Sequence, residues 1–429
     1  MQAHEIRIAR NLIGARWCAP EAAESFDVHN PSTGEKIAST PAGGPAEVQA
    51  AAAAAQKAFL SWSRTPPLKR ASALFRYRQI LEDHFEELAA LVTLENGKTQ
   101  EEARGDVRRG IEVVEFACGI PQLLKGESLP QVADGIDALT SSEPVGVCAG
   151  ITPFNFPAMV PLWMFPIAIA CGNAFILKPS EKTPLTACRL GELLLEAGLP
   201  EGVFQIVHGG RQAVEALCDS PGISAISFVG SSAVAARVYA RGCAAGKRVQ
   251  AAGGAKNVLL VMPDADPDSC LKAIMGSAFG CAGQRCMAGS LLMAVGEDAG
   301  RVQQSVLAAM DRIKVGPTHV DGRVDMGAVI DGCARDRLMT RIGVLAGEGG
   351  ELARDGRRDV PAGGFFVGPT LVDAVTPEMT IFREEIFGPV LGVMRPRSLD
   401  EAISWMRGCG YGNGATIFTS SGAAAREFV

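Results

Sequence analysis

Short apolar runs alternate with helix-like segments between about residues 145 and 251. The runs are VGVCAGI, AFILKPS, VFQIVHG and AISFVGS, and the later helices are predicted from Pro184 to about Ala197, from about Arg211, and over SAVAARVYARGCA. Strands joined through helices pair in parallel, so the alternation predicts a parallel sheet with helices on both faces. Such sheets bind ligands at the carboxyl ends of their strands. Residues that follow the apolar runs are therefore the first candidates for a binding site.

The flanking segments predict helices before this sheet and a second α/β unit after it. PAEVQAAAAAAQKAFLSW, with Pro45 near its start, and LKRASALFRYRQILEDHFEELAALVTLENGK, up to Gly97, have helical composition and spacing. MQAHEIRIARNLIGARW indicates an entering strand, and EGGELARDGRRD indicates a charged surface loop. From about residue 252, VLLVM, FFVGPTLVDAV and GPVLGVM indicate strands, and a helix runs to about Phe279. A further helix presents an apolar face made of Val107, Ile111, Val114 and Cys118.

Composition excludes several classes of function. A net charge of -6 argues against nucleic acid or an anionic membrane as the main partner. The 12 cysteines contain no C-x-x-C pair and the five histidines are scattered, so we expect no metal site, no disulfide framework and a reducing cytoplasm. The uncharged stretch from Glu143 to Lys178 resembles a membrane span, but a buried strand, loop and helix explain it better. Prolines interrupt it at Pro153, Pro157, Pro161 and Pro166.

Two loops at predicted strand ends carry cofactor-binding chemistry. In SFVGSSAVAAR the strand ends at Gly230, and Ser231 can cap a helix whose N–H groups favour phosphate. A plain strand–helix turn is the alternative, since G-x-G-x-x-G is absent. In AFILKPSEKTP, Lys178 and Glu181 are placed to bond ribose hydroxyls, and a solvated surface pair is the alternative.

Two further loops carry catalytic chemistry. Asn155 in ITPFNFPAM is an amide donor in a proline-bounded loop, which suits an oxyanion, and a turn asparagine is the alternative. FGCAGQRCMAGS holds Cys281 and Cys286 on a small-residue turn, where backbone N–H groups can reach an oxyanion. A buried structural cysteine is the alternative for either. On this ground both cysteines qualify as the nucleophile.

Together these segments resemble the aldehyde dehydrogenase family over the whole chain. PFNFP, KPSE, FVGS, GQRC, GPTL and EEIFGPV occur in the family's order and at its separations. The resemblance implies an α/β fold with a Rossmann-like NAD-binding domain (residues 1–124 and 145–251), an oligomerisation arm (125–144) and an α/β catalytic domain (252–429). It also implies NAD as the cofactor and a homo-oligomer, either a dimer or a tetramer.

The resemblance assigns individual roles. It implies that Cys286 rather than Cys281 is the nucleophile, and that Asn155 is the oxyanion donor. The positions that match cofactor-binding residues of the family are Thr152, Phe154, Lys178, Glu181, Lys182, Gly230, Ser231, Gly253, Glu385 and Phe387.

Within the family the chain is most similar to the methylmalonate-semialdehyde dehydrogenases. Their hallmarks occur here as ITPFNFPAMVPLWMFPIAIACGN, GDVRRGIEVVEFACGIPQLLKGE and FGCAGQRCMA. In that subfamily two arginines hold the substrate carboxylate, and they match Arg109 and Arg285 here. Arginine suits this task because its fork binds a carboxylate in bidentate fashion. For Arg109, a solvated helix face is the physical alternative.

One position separates this chain from hydrolytic members of the family. They carry ELGGK, whose glutamate activates water, whereas Ala252 stands at that place in QAAGGAKN. The semialdehyde subfamily also lacks the glutamate, typically with asparagine instead. Without a carboxylate there is no obvious base for water. The resemblance therefore implies that a Cys286 thioester passes to coenzyme A, giving acetyl-CoA or propionyl-CoA with loss of carbon dioxide.

Two other hypotheses remain open at this stage. One is a hydrolytic semialdehyde dehydrogenase, against which the missing glutamate speaks. The other is a non-catalytic relative that only binds NAD or a partner. This second hypothesis follows from the length of the chain, because the family continues for several dozen residues beyond GNGATIFTSSGAAAREFV. That continuation is expected to complete the catalytic domain and its last oligomerisation strand.

Overall fold

The computed structural model describes residues 7–18, 24–296, 299–318 and 324–429. The chain divides into two compact units, and the largest sheet of each lies wholly within that unit. Unit 1 comprises residues 1–29, 36–95 and 103–253, and unit 2 comprises residues 30–35, 96–102 and 254–429.

The N-terminal part of unit 1 consists of short strands followed by helices. The predicted entering strand is wrong as a single element, because a turn at Gly14 and Ala15, with φ of 58° and 69°, divides it. Its first six residues lie outside the described residues. The elements of this part are β1 (Arg7–Ile8), β2 (Asn11–Ile13), β3 (Arg16–Cys18), β4 (Ser25–His29), β5 (Lys36–Pro41), α1 (Pro45–Trp62), α2 (Pro67–Asp83), α3 (Phe85–Asn96), α4 (Gln100–Cys118) and α5 (Ile120–Leu123).

These helices agree with the prediction except at one break. α1 starts at Pro45, and α3 ends immediately before Gly97. The segment predicted as one long helix up to Gly97 is instead divided into α2 and α3, because His84 leaves helical geometry at φ −104° and ψ 17°. Its ring nitrogen lies 2.6 Å from the Glu87 carboxylate, which fixes the start of α3. The predicted apolar face of α4 is buried.

The strand–helix alternation predicted after residue 145 is confirmed. β8 to β12 form a parallel sheet in the order β12–β11–β8–β9–β10. β2 extends this sheet by pairing antiparallel with β10, and β3 pairs antiparallel with β2 at the edge. A separate antiparallel hairpin, β6–β7, exposes apolar side chains. The elements are β6 (Ser128–Ala133), β7 (Ile136–Leu139), β8 (Val147–Ile151), α6 (Met159–Ala170), β9 (Ala174–Lys178), α7 (Pro184–Glu196), β10 (Phe204–Ile206), α8 (Arg211–Asp219), β11 (Ala225–Val229), α9 (Ser232–Ala244) and β12 (Arg248–Ala252).

The strand order places a switch point at β8. The next strand in the chain, β9, pairs with one side of β8, while β11 pairs with the other side. The connections therefore diverge above the carboxyl end of β8, where open α/β sheets form a crevice for ligands. Beneath it, Phe165 of α6 packs on Phe204 with ring centroids 4.7 Å apart, and on Phe175 at 6.3 Å. This aromatic cluster fastens α6 to the sheet.

Unit 2 contains a six-stranded sheet in the order β15–β16–β17–β14–β13–β18, parallel except for the β15–β16 pair. Its elements are β13 (Asn257–Val261), α10 (Pro267–Phe279), a 3-10 turn (Gly280–Gly283), β14 (Gly289–Ala294), α11 (Ala299–Met310), α12 (Gly332–Gly347), β15 (Glu351–Arg354), β16 (Thr370–Asp373), α13 (Thr380–Arg383), β17 (Val390–Met394), α14 (Leu399–Gly408), β18 (Ala415–Phe418) and α15 (Gly422–Phe428).

Two predictions for unit 2 need correction. The strands expected in FFVGPTLVDAV and GPVLGVM begin only after Pro369 and Pro389, because proline has no N–H for the ladder. The charged segment EGGELARDGRRD is not a plain loop, since it contains β15 at the sheet edge. Its exposed and half-buried residues alternate, which is how an edge strand accommodates charged side chains.

Three further features concern the described residues as a whole. None of their helices combines the length and the apolar character needed to cross a bilayer. No group of three or more histidine, cysteine or acidic side chains in these ranges is placed to hold a metal ion. The 12 cysteines are free thiols.

A buried carboxyl group in unit 1 makes its stability depend on pH. Glu95 is fully buried and accepts the N–H groups of Leu185 and Thr186, at 2.7 and 2.9 Å, at the start of α7. Burial outweighs these bonds and raises the pKa of Glu95 to about 7. The protonated carboxyl therefore stabilises the fold fully below about pH 4.5, and this contribution is lost as pH rises through about 7.

We therefore predict that Glu95→Gln, which cannot ionise, flattens this pH dependence. A shift of roughly 2.5 units corresponds to about 3 kcal/mol at 1.36 kcal/mol per unit. The thermal midpoint of the unsubstituted chain should fall more between about pH 5 and about pH 8 than that of the variant. A difference between the two midpoints that stays constant over this range would contradict the prediction.

Candidate active site

Unit 1 brings most of the predicted cofactor-binding residues to one edge of its sheet. They follow the carboxyl ends of β8, β9, β11 and β12, the edge at which the switch point lies. Main-chain hydrogen bonds continue the strand pairing at this edge. Thr152 N–H donates to Lys178 O at 3.1 Å, and Gly230 N–H donates to Ala252 O at 3.1 Å. The residues at this edge are Thr152, Phe154, Asn155, Lys178, Glu181, Lys182, Gly230, Ser231 and Gly253.

Lys178 and Glu181 form a partly buried ion pair at the end of β9. Lys178 is only 4% exposed and its Nζ lies 3.4 Å from Glu181 Oε2, so a solvated surface pair is the wrong description. Burial lowers the pKa of Lys178. Burial alone would raise the pKa of Glu181, but the charge of Lys178 and further local contacts hold it below its usual value. The edge thus presents an ammonium and a carboxylate at fixed positions.

A histidine that the sequence did not single out lies in the same unit. His208 is fully buried, its Nε2 lies 3.1 Å from Arg10 O, and its main-chain N–H donates to Asn11 Oδ1. Burial and the charge of Lys178 lower the pKa of His208 to about 3. Its neighbour Cys188, 3.4 Å away, has a pKa raised to about 12 by burial. This cysteine–histidine pair is neutral at physiological pH and is not an activated nucleophile.

The start of α9 is open to an anion. Ser231 occupies the N-cap position but its side chain makes no capping bond, so the predicted capping role is wrong. The first N–H groups of α9 therefore lack the side-chain acceptor that usually covers a helix start. Gly253 lies against this start, where an added Cβ would come within 3.0 Å of Ser232 Oγ. A side chain at residue 253 would therefore require Ser232 to shift by a few tenths of an ångström.

The loop after β8 carries the predicted oxyanion donor. Asn155 is 5% exposed, and Phe154 beside it is half-buried. Lys182 lies over the Phe154 ring, with its Nζ 5.4 Å from the centroid, and Thr183 Oγ1 donates to Phe154 O at 3.5 Å. The loop is thus fastened to the segment after β9. Arg109, by contrast, lies on the exposed side of α4.

In unit 2 the two cysteines sit on a turn of unusual backbone geometry. Cys281, Ala282 and Gly283 all have left-handed φ, of 52°, 50° and 69°. The Cys281 N–H donates to the Glu102 carboxylate at 2.5 Å. Glu102 also accepts the Thr99 N–H at 2.9 Å, while its own N–H donates to the Thr99 hydroxyl at 3.3 Å. A capping box at the start of α4 therefore also holds the turn that carries Cys281.

The rest of the turn is held by close backbone contacts. Gly283 lies against the Gly388 carbonyl, where a Cβ would clash. The buried Gln284 side chain accepts the Ile330 N–H at 3.1 Å. Cys281 is 6% exposed, whereas Cys286 is half-buried. The turn thus hides the first cysteine and leaves the second accessible.

Cys286 is held through its main chain. Its carbonyl accepts the side-chain amides of Asn257 at 2.8 Å and Asn413 at 3.0 Å. Burial raises the pKa of the Cys286 thiol, and the negative charge of Glu385 adds to this. The N–H groups of Cys286 and Met287 and the charge of Arg285 act in the opposite direction. Preorganised N–H groups at a sulfur nucleophile are also the donors that an oxyanion needs.

Arg285 precedes Cys286, the predicted nucleophile, and is anchored to a helix end. Its Nη2 donates to the main-chain carbonyls of Gly276 and of Ser277, the latter at 2.8 Å, in the last turn of α10. Its Nε is buried and has no partner among the described residues. The guanidinium is therefore fixed in direction.

The EEIFGPV segment lies in the same unit. Glu385 Oε1 accepts the Ala255 N–H at 3.1 Å, and Phe387 has a left-handed φ of 55°. Burial raises the pKa of Glu385, against the influence of the Ala255 N–H, Lys256 and Arg337. Lys256 is 4% exposed, and burial lowers its pKa to about 8. Unit 2 therefore places Arg285, Cys286, Glu385 and Phe387 around one held turn.

Comparison with known proteins agrees with these features. The aldehyde dehydrogenase family model matches residues 17–429. The chain is 51% identical over 426 residues to malonate-semialdehyde dehydrogenase 2 of Geobacillus thermodenitrificans, covering 99% of this chain and 88% of that protein. A crystal structure of methylmalonate-semialdehyde dehydrogenase from Oceanimonas doudoroffii has a TM-score of 0.96 at 46% identity, over 99% of this chain and 87% of the other.

A second crystal structure, from Sinorhizobium meliloti and in complex with NAD, has a TM-score of 0.97 at 42% identity, again over 99% and 87% of the two chains. These matches extend over both units and agree with the predicted α/β, Rossmann-like architecture. The chain belongs to the aldehyde dehydrogenase family.

Proposed function

We propose that the chain oxidises malonate or methylmalonate semialdehyde with NAD and releases the product as acetyl-CoA or propionyl-CoA. The observation that carries the proposal is the turn that hides Cys281 and presents Cys286 beside backbone N–H groups. Two similar proteins are named malonate-semialdehyde and methylmalonate-semialdehyde dehydrogenase, which supports this substrate class.

The predicted residues of unit 1 fit NAD. The uncapped start of α9 suits a pyrophosphate, because its N–H groups and dipole favour negative charge. The buried Lys178 and its partner Glu181 suit ribose hydroxyls, since one donates and the other accepts. The relative from Sinorhizobium meliloti was solved with NAD. We therefore assign NAD binding to residues 1–124 and 145–251, with Glu385 and Phe387 holding the nicotinamide ribose.

The proposed chemistry proceeds on Cys286. Its thiolate attacks the aldehyde carbon, and Asn155 and the Cys286 N–H stabilise the oxyanion. The hydride leaves the same carbon and is accepted by NAD, so the substrate is oxidised to a thioester. Arg109 and Arg285 hold the carboxylate. Its C–C bond then breaks, carbon dioxide leaves (as bicarbonate once it adds water), and the electron pair left on the α-carbon takes up a proton from solvent, giving the acetyl or propionyl thioester.

Release of the acyl group is proposed to need coenzyme A rather than water. Ala252 is the last residue of β12, and its methyl group cannot take a proton from water. A thiolate of coenzyme A attacks the thioester without a base at that position and regenerates Cys286.

We also propose that the segment 125–144 is an oligomerisation arm. Its hairpin exposes apolar side chains on both strands, and such exposed patches usually mark a protein interface. Residues 252–429 then form the catalytic domain, in a homo-oligomer. The exposed apolar side chains of the hairpin are Leu129, Val132, Ile136 and Leu139.

Cys286→Ala should abolish NADH production while leaving NAD affinity nearly unchanged, because the thiol takes part only in the chemistry. The matched control is Cys281→Ala, which removes the buried cysteine of the same turn and should retain most activity. Absorbance of NADH measures the first effect, and calorimetric titration with NAD measures the second. Loss of turnover in the Cys281 variant, with Cys286 dispensable, would reverse the assignment.

Turnover should depend on coenzyme A. Without it, we expect a burst of NADH stoichiometric with active sites and then only slow release, because no base activates water. Stopped-flow absorbance with malonate semialdehyde, with and without coenzyme A, measures both phases. Fast steady-state oxidation without coenzyme A would instead favour the hydrolytic alternative.

Arg109→Ala should selectively lower the activity toward carboxylated aldehydes. A charge-assisted hydrogen bond contributes about 1.5–3 kcal/mol, so kcat/KM for malonate semialdehyde should fall roughly ten- to a hundredfold, with little change for propionaldehyde. Arg108→Ala is the matched control, since the neighbouring Arg108 is instead bonded to Glu82. Equal losses on both substrates would indicate a structural role for Arg109.

A further inference from the structure

Two side-chain amides from distant parts of the chain converge on the main chain of Cys286. Asn257 begins β13 and Asn413 precedes β18, and these two strands are neighbours in the sheet of unit 2. Both donate through Nδ2 to the Cys286 carbonyl, at 2.8 and 3.0 Å. Asn257 Nδ2 also reaches Ala288 O at 2.9 Å. The peptide that follows the nucleophile is therefore held from two sides.

The orientation of these amides follows from their partners. The end of an asparagine side chain that lies between two carbonyl oxygens must be its NH2 group, because the amide oxygen in that place would repel both carbonyls. This applies to Asn257, which is 6% exposed. Asn413 faces a carbonyl as well and keeps a left-handed φ of 100°, a conformation uncommon for a residue with a side chain. Both amides are thus fixed as donors.

The bonded carbonyl and the next N–H belong to one peptide group. The Cys286 oxygen and the Met287 nitrogen share that group. The N–H groups of Cys286 and Met287 both lower the pKa of the Cys286 thiol, against the effect of burial. Hydrogen bonds in such a chain polarise one another, so a bond accepted at the oxygen strengthens the N–H as a donor. Each asparagine amide is therefore linked through one peptide to the sulfur.

We propose that Asn257 and Asn413 are positioning residues that stabilise the Cys286 thiolate by holding and polarising the Cys286–Met287 peptide. The proposal rests on the proposed role of Cys286 as the nucleophile. Neither amide contacts the reacting atoms, since both act through the peptide that carries the N–H. Loss of either donor weakens that N–H and releases the peptide from its orientation, and loss of both does so further.

The test is the pH dependence of Cys286 alkylation by iodoacetamide in the intact enzyme, followed by mass spectrometry of the Cys286 peptide. Asn413→Gly is the leading variant, because glycine adopts the left-handed φ without strain and lacks the amide. We expect the midpoint of the alkylation profile to rise by about half a unit. In Asn257→Ala/Asn413→Gly it should rise by about one unit, which is a tenfold lower rate on the acidic limb.

The rate at high pH, where the thiol is fully ionised, should stay within about twofold of the unsubstituted enzyme. Ser290→Ala is the matched control, because its hydroxyl bonds to the Asn257 main chain at 3.4 Å and not to the Cys286 carbonyl. An unshifted midpoint in Asn413→Gly would overturn the proposal, as would an equal shift in Ser290→Ala. A lower plateau with an unshifted midpoint would show a merely structural role and would also overturn it.

Alkylation needs neither aldehyde, NAD nor coenzyme A, so its result is independent of the proposed substrate. The acidic limb of kcat/KM should move by the same amount as the alkylation midpoint. If the midpoint moves and the kinetic limb does not, the positioning role of Asn257 and Asn413 is supported and the nucleophile assignment fails instead.

Discussion

The bond between the Glu102 carboxylate and the Cys281 N–H anchors the left-handed turn that precedes Cys286. Two residues with side chains, Cys281 and Ala282, are held there in left-handed geometry, at about 1–2 kcal/mol each. A hydrogen bond to a charged group contributes about 1.5–3 kcal/mol, which is of the size needed to offset this strain. Because the same glutamate caps α4 through Thr99, the turn is as rigid as the helix start that holds it. The direction in which Cys286 emerges follows from that geometry.

The fold was predictable from the sequence wherever local patterning decided the structure. The alternation after residue 145 fixed the parallel sheet of unit 1, because each strand and each crossover helix carries its own periodicity. The boundaries that were missed depend on single residues. His84 breaks a helix whose apolar spacing continues, and β15 forms from a charged segment because an edge strand leaves every second side chain exposed. Periodicity averages over such positions and does not resolve them.

The candidate site was predictable only as far as its residues follow strands or match family motifs. Lys178 illustrates the limit, since the sequence allowed a surface pair and only the packed sheet makes it buried. Asn257 and Asn413 could not be found, because they meet Cys286 through the pairing of β13 with β18, 29 and 127 residues away from it. Glu102 carries a capping signature, but its free oxygen reaches Cys281 from 179 residues away. Contacts of this kind are set by tertiary structure.

Arg285, the proposed carboxylate-binding residue, is already anchored by main-chain bonds. Its bonds to the carbonyls of the last turn of α10 place a cation where a helix dipole favours it. An arginine already fixed in this way loses little further entropy when it binds a carboxylate, so more of the contact energy remains for the ligand. Its charge also lowers the pKa of Cys286 against the effect of burial. A carboxylate bound to Arg285 would neutralise that charge, so the N–H groups at Cys286 must carry more of the thiolate stabilisation once substrate is present.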